Sequence, residues 1–368
     1  MTGFSCGKGI RMRAQKYEIA RILDRVKSVV QKNSAYPAME GVLVTDGCFT
    51  GSNMELTIQV KSEACRGDSF IIPAKAFDLI KNLPDGEVEI KEDGEQQLLI
   101  RTEKITNRYR TFNPDDFAFY KPNADYDNEI TLPGEQLMNA LSRVVNASNE
   151  KDVKAVLGGV YFEAEPGALN LVAADGYRAS WDRIATDGES DMKVIVPKSA
   201  VKRLVSLGII DEVSIAYNKS GVIFRSGDCT VSSRLIDGDY LDYRRFFRDT
   251  SDAVSIRREG LLEAMNRAKL CVANNENNKR PAVLTFGGGE LQISVADSMS
   301  NYSEVIELDS ILPDQTRIGA SPNIIIESVK AFTGDIIRLS FTSPKAPVYI
   351  SEEGSRLRTL FLPVNLSA

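Results

Sequence analysis

Three stretches of the chain repeat one order of apolar and polar positions. "FIIPAKAFDLIKNL", "VIVPKSAVKRLVSL" and "IGASPNIIIESVKAF" each pass from an apolar strand-like block through a proline into an amphipathic helical pattern. Strands are recognised by short apolar runs or period-two alternation, and helices by apolar residues three and four apart. The prolines, Pro73, Pro197 and Pro322, lie 124 and 125 residues apart. Each is expected in the first turn of its helix, where a missing N–H leaves no bond unmade.

Two further landmark sets keep the same spacing. "MEGVLVTDGCFTGSNMEL", "LGGVYFEAEPGALNLVAADG" and "PAVLTFGGGELQISVADS" each read as strand, turn, strand, and their Asn53, Asp175 and Asp297 are 122 residues apart. "RYRTFNPDDF", "SSRLIDGDYLDYRRFF" and "RLRTLFLPVNL" close the three units. "YEIARILDRVKSVVQ", "GEQLMNALSRVVNA" and "GLLEAMNRAKLCV" open them as amphipathic helices. The spacing is far too long for a solenoid repeat, so each unit is a whole α+β domain. The expected division is a flexible extension at 1–9 and domains at 10–128, 129–251 and 252–368.

One segment of the middle unit stands apart. In "LVAADGYRASWDRI" an Asp-Gly sits between apolar runs, ordinarily a hairpin signal. The matching spots at Asn53 and Asp297 lack the glycine. The sequence therefore predicts a continuous strand, kinked or bulged at Gly176, that aims Tyr177 and Arg178 outward.

Composition narrows the chemistry. The chain has 368 residues, no histidine and five dispersed cysteines without a CxxC pair. This removes histidine-based catalysis and histidine-ligated zinc, and it fits a reducing compartment. No GxxxxGK[ST] or GxGxxG cradle is present, so no cofactor is expected. "GGGE" at 287–290 reads as a turn before a strand. No apolar run reaches the roughly 18 residues of a membrane span, and the N-terminus lacks the apolar core of a secretory signal.

Charge sorts unevenly. Over the six helical windows 17–32, 74–83, 135–147, 198–207, 259–271 and 323–332 there are 13 Lys and Arg against 7 Asp and Glu, although the chain nets −6. Basic elements in an acidic protein point to one polyanion-facing surface. Its candidates are Arg21, Arg25, Lys32, Lys75, Lys81, Arg143, Lys198, Lys202, Arg203, Arg267 and Lys330. Lys198 and Lys202 share a helix face, with Val201, Leu204 and Val205 on the buried side. The third unit is weakest, its bases nearly balanced by acids. No base-reading module is visible, so binding would run through phosphates.

With these motifs in order, the chain resembles the β subunit of bacterial DNA polymerase III, the sliding-clamp family, over roughly residues 10–368. "NLVAADGYRAS", "VIVPKSAVKRL", "SRLIDGDYLDYRRFF" and "TLFLPVNL" carry the resemblance. It implies three tandem clamp domains, each with two inner helices and outer antiparallel sheets. It further implies a crescent that dimerises head to tail into a ring around duplex DNA. Such a protein is a processivity factor rather than an enzyme and works in the cytoplasm on the nucleoid. Its partners would be a clamp loader, and DNA polymerases and repair proteins docking through short peptides, with no membrane. The cleft for those peptides would comprise Leu157, Asp175, Gly176, Tyr177, Arg178, Leu241, Arg245, Phe246, Pro347, Leu360, Leu362, Pro363, Val364 and Asn365. Tyr109, Leu270 and Cys271 match the dimer contact. Tyr177, Ala179, Leu241 and Asn365 depart from the family pattern, so the cleft is expected to stay apolar with altered shape. Loop 274–280 does not align with the family's cleft aromatic.

Two other readings compete. Carboxylates at Asp115 and Asp116, or at Asp237, Asp239 and Asp242, could hold Mg²⁺ in a nuclease, although both stretches read as turns. A clamp-like adaptor that docks peptides without encircling DNA would fit the weak charge of the third unit.

Overall fold

Among the described residues, each of the three repeats folds as eight strands and two α-helices. The structure is a computed structural model describing residues 11–32, 34–63, 69–94, 96–120, 128–187, 190–248, 253–273, 281–296, 301–312 and 314–366. The expected extension at 1–9, Asp297 and the 274–280 loop lie outside the described residues.

The first repeat runs β1 (Arg11–Gln15), α1 (Lys16–Val26), β2 (Gly41–Thr45), β3 (Cys48–Ser52), β4 (Leu56–Lys61), β5 (Phe70–Pro73), α2 (Phe77–Asn82), β6 (Glu87–Glu92), β7 (Gln97–Arg101) and β8 (Thr106–Arg110). The second runs β9 (Asn128–Pro133), α3 (Gly134–Val144), β10 (Gly159–Glu165), β11 (Ala168–Ala174), β12 (Arg178–Ala185), β13 (Lys193–Pro197), α4 (Lys198–Ser206), β14 (Glu212–Tyr217), β15 (Gly221–Ser226) and β16 (Cys229–Arg234). The third runs β17 (Ala253–Arg257), α5 (Arg258–Ala273), β18 (Ala282–Gly287), β19 (Glu290–Ala296), β20 (Asn301–Glu307), β21 (Thr316–Ala320), α6 (Pro322–Val329), β22 (Ile336–Ser340), β23 (Val348–Ser351) and β24 (Arg358–Phe361).

The apolar spacing explains the helices. In α1, Ile19, Ile22, Leu23 and Val26 form one buried stripe, which packs on β3 and β4 while the helix also meets α2. Strands β10 and β19 alternate buried and partly exposed positions, as half-covered strands do. Strand β11 is buried along its whole length. The prolines correct one expectation. Pro322 does open α6, but Pro73 and Pro197 are the last residues of β5 and β13, one step before their helical segments.

The contacts divide the chain into two compact units, Met1–Glu135 with Ser206–Leu235, and Gln136–Val205 with Ile236–Ala368. Each unit has the same two sheets. The first has β1-β6-β7-β8 and the eight-stranded β5-β2-β3-β4-β16-β15-β14-β9. The second has β20-β19-β18-β21 and the eight-stranded β13-β10-β11-β12-β24-β23-β22-β17. Both eight-stranded sheets are two four-stranded halves from successive repeats, joined edge to edge. Leu56 pairs with Ser233 at the β4–β16 joint, and Arg178 pairs with Phe361 at the β12–β24 joint. The counterparts of these joining edges in the other two sheets are β8 and β20. Each ends its sheet unpaired among the described residues.

Candidate functional site

The Asp-Gly segment is a tight turn and not a kinked strand. Strands β11 and β12 are antiparallel, with Ala174 opposite Ala179, and the chain reverses through 175–177. Asp175 Oδ1 accepts from the N–H of Tyr177 at 3.0 Å and of Arg178 at 3.1 Å. Gly176 sits at φ +81, left-handed backbone that glycine adopts without a Cβ penalty. The same turn recurs in the first repeat without glycine. Asn53 Oδ1 accepts from Glu55 and Leu56 N–H at 3.1 and 2.7 Å, and Met54 takes φ +70. The predicted kink failed because a side chain that accepts two backbone N–H groups holds this turn with or without glycine.

Beside the turn lies a cavity of about 520 Å³. Ala174, Gly176, Arg178 and Ala179 form one side, and Leu360 and Leu362 from β24 and its continuation adjoin them. Thr342, Ala346, Pro347 and Tyr349 bring in the β22–β23 connection. Leu241, Arg245, Phe246 and Arg248 complete it from a loop. That loop is pinned from behind. Tyr243 is buried in a core with Leu157, Val172 and Leu360. The Trp181 ring lies 5.1 Å from Tyr243 and 5.6 Å from Phe247, both edge-on, and Tyr161 stacks on Tyr240 at 4.7 Å. Tyr243 donates to Glu163 at 2.7 Å, and Arg244 closes on the same carboxylate at 2.7 Å. Burial, then the Glu163 carboxylate, pushes the Tyr243 phenol far above its usual value. Burial first and Glu163 second raise Tyr161 to about 12. Both phenols stay neutral across any ordinary pH.

The cations of the cavity differ in how they are held. Arg178 is fully engaged: Nε donates to Asp175 at 2.9 Å, one terminal nitrogen to the Asn146 carbonyl at 2.7 Å, and the other to Glu327 of α6. Arg245 pairs with Asp242 at 2.6 Å. Arg248 has no ion pair among the described residues.

Eight of the sequence candidates line the cavity: Gly176, Arg178, Leu241, Arg245, Phe246, Pro347, Leu360 and Leu362. Six do not. Leu157 is buried beneath it, and Asp175 shapes it through the turn. Tyr177 points outward at 68% exposure. Pro363, Val364 and Asn365 leave along the chain, where the Val364 N–H donates to the Gly319 carbonyl at 2.8 Å. Ala174, Arg248, Thr342, Ala346 and Tyr349 were not among the candidates, and Ala179, expected to alter the cleft's shape, lines it. Alternation along "APVYIS" puts Tyr349 opposite the buried Val348 and was the available signal.

The candidate basic residues separate into exposed groups and groups held by named partners. Arg21, Lys32, Lys75, Lys202 and Lys330 are exposed and make no ion pair among the described residues, and Arg203 is exposed beside Lys202. Arg25 instead binds both oxygens of Asp228 at 2.8 and 2.9 Å. Arg143 meets the buried Asp182 at 2.6 Å. Arg267 is held by Glu304 at 2.6 Å and Glu263 at 3.6 Å. Lys81 lies 3.9 Å from Asp24, and Lys198 donates to the Ser148 carbonyl. Burial, then Lys202 and Arg178, lower the Lys198 pKa. Acids met through the fold, as with Asp182 on β12, account for what charge counting missed.

Of the three dimer candidates, Tyr109 lies on the unpaired edge strand β8. Leu270 and Cys271 lie on α5, which packs on the other unpaired edge, β20, and Leu270 is 67% exposed. Among the described residues, no group of three or more Cys, Asp or Glu could hold a metal ion. Asp242 of the alternative Mg²⁺ cluster is spent on Arg245.

Comparison with known proteins agrees with this architecture. The beta sliding clamp of Bacillus subtilis is 24% identical, covering 95% of this chain and 98% of that protein. That of Synechocystis is also 24% identical, covering 97% and 100%. Among solved structures, a Bacillus subtilis DNA polymerase sliding clamp superposes with a TM-score of 0.89 at 22% identity, over 98% of this chain and 100% of the other. A Pseudomonas aeruginosa sliding clamp bound to griselimycin gives a TM-score of 0.89 at 22% identity, over 97% and 100%. The DNA polymerase III beta subunit models match in succession, the N-terminal domain over residues 10–121, the central over 131–242 and the C-terminal over 244–364. Three domain models in unbroken order, on three repeats of one fold, mean that the chain belongs to the DNA polymerase III β-subunit family.

Proposed function

We propose that this chain is a sliding clamp, a processivity factor in which two copies close head to tail around duplex DNA and tether polymerases and repair proteins. The edge strands carry the reading. The chain uses one joint twice, β4 with β16 and β12 with β24. It leaves unpaired the two edges that would make that joint a third time, β8 and β20. Unpaired edges are templates for another strand, and a second copy supplies the complement of each. Two such joints per pair of chains close the assembly and leave neither β8 nor β20 unpaired.

The domains of this reading are 10–128, 129–251 and 252–368, with 1–9 as an extension. Arg21, Lys32, Lys75, Lys202, Arg203 and Lys330 face the duplex as unspecific phosphate contacts, and a ring needs few of them because it is held topologically. The cavity beside Arg178 receives a short extended peptide by its apolar walls and few polar anchors. The Pseudomonas aeruginosa sliding clamp of the same fold is itself bound to a ligand, griselimycin. A clamp loader opens the ring. The chain acts in the cytoplasm on the nucleoid as a non-catalytic partner of the polymerase. No helix among the described residues is long and apolar enough to cross a membrane.

The test is topological. After loader-dependent loading, the protein should remain on nicked circular DNA through a sizing column and leave once the DNA is linearised. Equal retention on both forms, or a monomeric mass by light scattering, sinks the ring.

A further inference from the structure

The two joints are built alike, and beside the second lies the open cavity. Register identifies corresponding residues. Thr57 faces Ser52 across the first turn as Ala179 faces Ala174 across the second. The Arg234 N–H donates to the Glu55 carbonyl at 2.9 Å, and the Leu362 N–H to the Tyr177 carbonyl at 2.8 Å. Gly221 pairs with Arg234. Val348 pairs with Phe361, which sets Pro347 against Leu362. Ala179, Pro347 and Leu362 all line the open cavity. Their counterparts at the first joint are Thr57, Gly221 and Arg234.

All three counterparts touch one side chain or its backbone. Thr57 Oγ1 donates to the Tyr120 carbonyl at 3.1 Å. The Arg234 guanidinium lies 5.3 Å over the Tyr120 ring, a cation–π contact. A Cβ built on Gly221 would strike the Tyr120 hydroxyl, which donates to the Ser220 carbonyl at 3.0 Å. Glycine at 221 is thus the space the phenol requires. We infer that the first joint carries a second groove of the same design, a site for an extended tyrosine-bearing segment, and that the chain's own Tyr120 fills it. The corresponding place at the second joint stays open. The inference rests on the peptide-cleft reading only for what an opened groove would do.

The probe is 4-methylphenol, the tyrosine side chain alone, so the outcome does not depend on any polymerase peptide. Tyr120→Ala should melt lower than wild type. Saturating 4-methylphenol should raise its Tm by roughly 2–4 °C more than that of wild type or Tyr120→Phe, because the open second cavity is common to all three proteins. An equal shift in all three proteins, or none in Tyr120→Ala, overturns the inference. Gly221→Ala keeps the phenol and expels it. Tetranitromethane nitration of Tyr120, mapped by mass spectrometry, should then rise several-fold over wild type. Unchanged nitration overturns it as well.

Discussion

Asp175 and Asn53 hold the same turn with different side chains, and the difference separates structure from charge. Either carbonyl-type oxygen can accept two backbone N–H bonds, but only the carboxylate also binds Arg178 as an ion pair. Asp175→Asn should keep the fold within about 1 kcal/mol, whereas Asp175→Ala should lose roughly 1–2 kcal/mol, because both bonds go. Urea unfolding distinguishes them; equal losses would mean that the ion pair and not the turn dominates. The sequence displayed this turn openly as Asp-Gly, and the expectation of a kink misjudged it. The absence of glycine in the first repeat was weighed above the acceptor side chain that the repeats share. Asp182 was not legible at all, because its partner lies on another element. It is 1% exposed, and burial raises its pKa against the pull of Arg143. A carboxyl whose folded pKa exceeds its unfolded value binds more protons when folded. Its stabilising share is complete below the ordinary value of 3.8 and is lost as pH climbs through the folded value. Wild type should therefore gain stability relative to Asp182→Asn as pH falls from 7 toward 4. A constant difference in urea midpoints over that window contradicts the assignment.

At the scale of elements, the helices and the order of strands were readable, because their apolar periods are local. The joints were not, because β4 meets β16 across more than a hundred residues and nothing in either strand names its neighbour. What the structure adds is register. Carrying the pairings of Leu56 with Ser233 and Arg178 with Phe361 onto the unpaired edges sets Asn301 opposite Arg108 of a second copy. Directly opposed residues have Cβ atoms about 4.5–5.5 Å apart, within reach of a disulfide after slight adjustment, while a one-residue slip sends the side chains to opposite faces. Asn301→Cys with Arg108→Cys should give a covalent dimer under mild oxidation, seen on a non-reducing gel. Asn301→Cys with Asn107→Cys should not. Equal cross-linking by both pairs would mean that the copies do not meet in this register.

For the whole molecule, the question is how an acidic protein stays on DNA without gripping it. Sequence counting assigned eleven cations to the duplex, yet Arg25, Arg143 and Arg267 spend their charge on Asp228, Asp182, Glu304 and Glu263. The remaining exposed bases are spread over α1, α4 and the segments that flank α1, α2 and α6, and not gathered into one tight phosphate site. A weak, distributed attraction suits a closed ring, because each fully neutralised phosphate steepens the salt dependence and would brake sliding. The two classes of cation should therefore part company in binding to short linear duplex, where topology gives no help. Lys202→Ala should flatten the slope of log affinity against log salt by up to about 1, and Arg143→Ala should leave it nearly unchanged. If Arg143→Ala flattened the slope as much as Lys202→Ala, the buried Asp182 would not be holding that charge, and the distinction between exposed Lys202 and engaged Arg143 would be lost. On nicked circles neither variant should fall off at moderate salt, because closure, and not phosphate pairing, is what retains the ring.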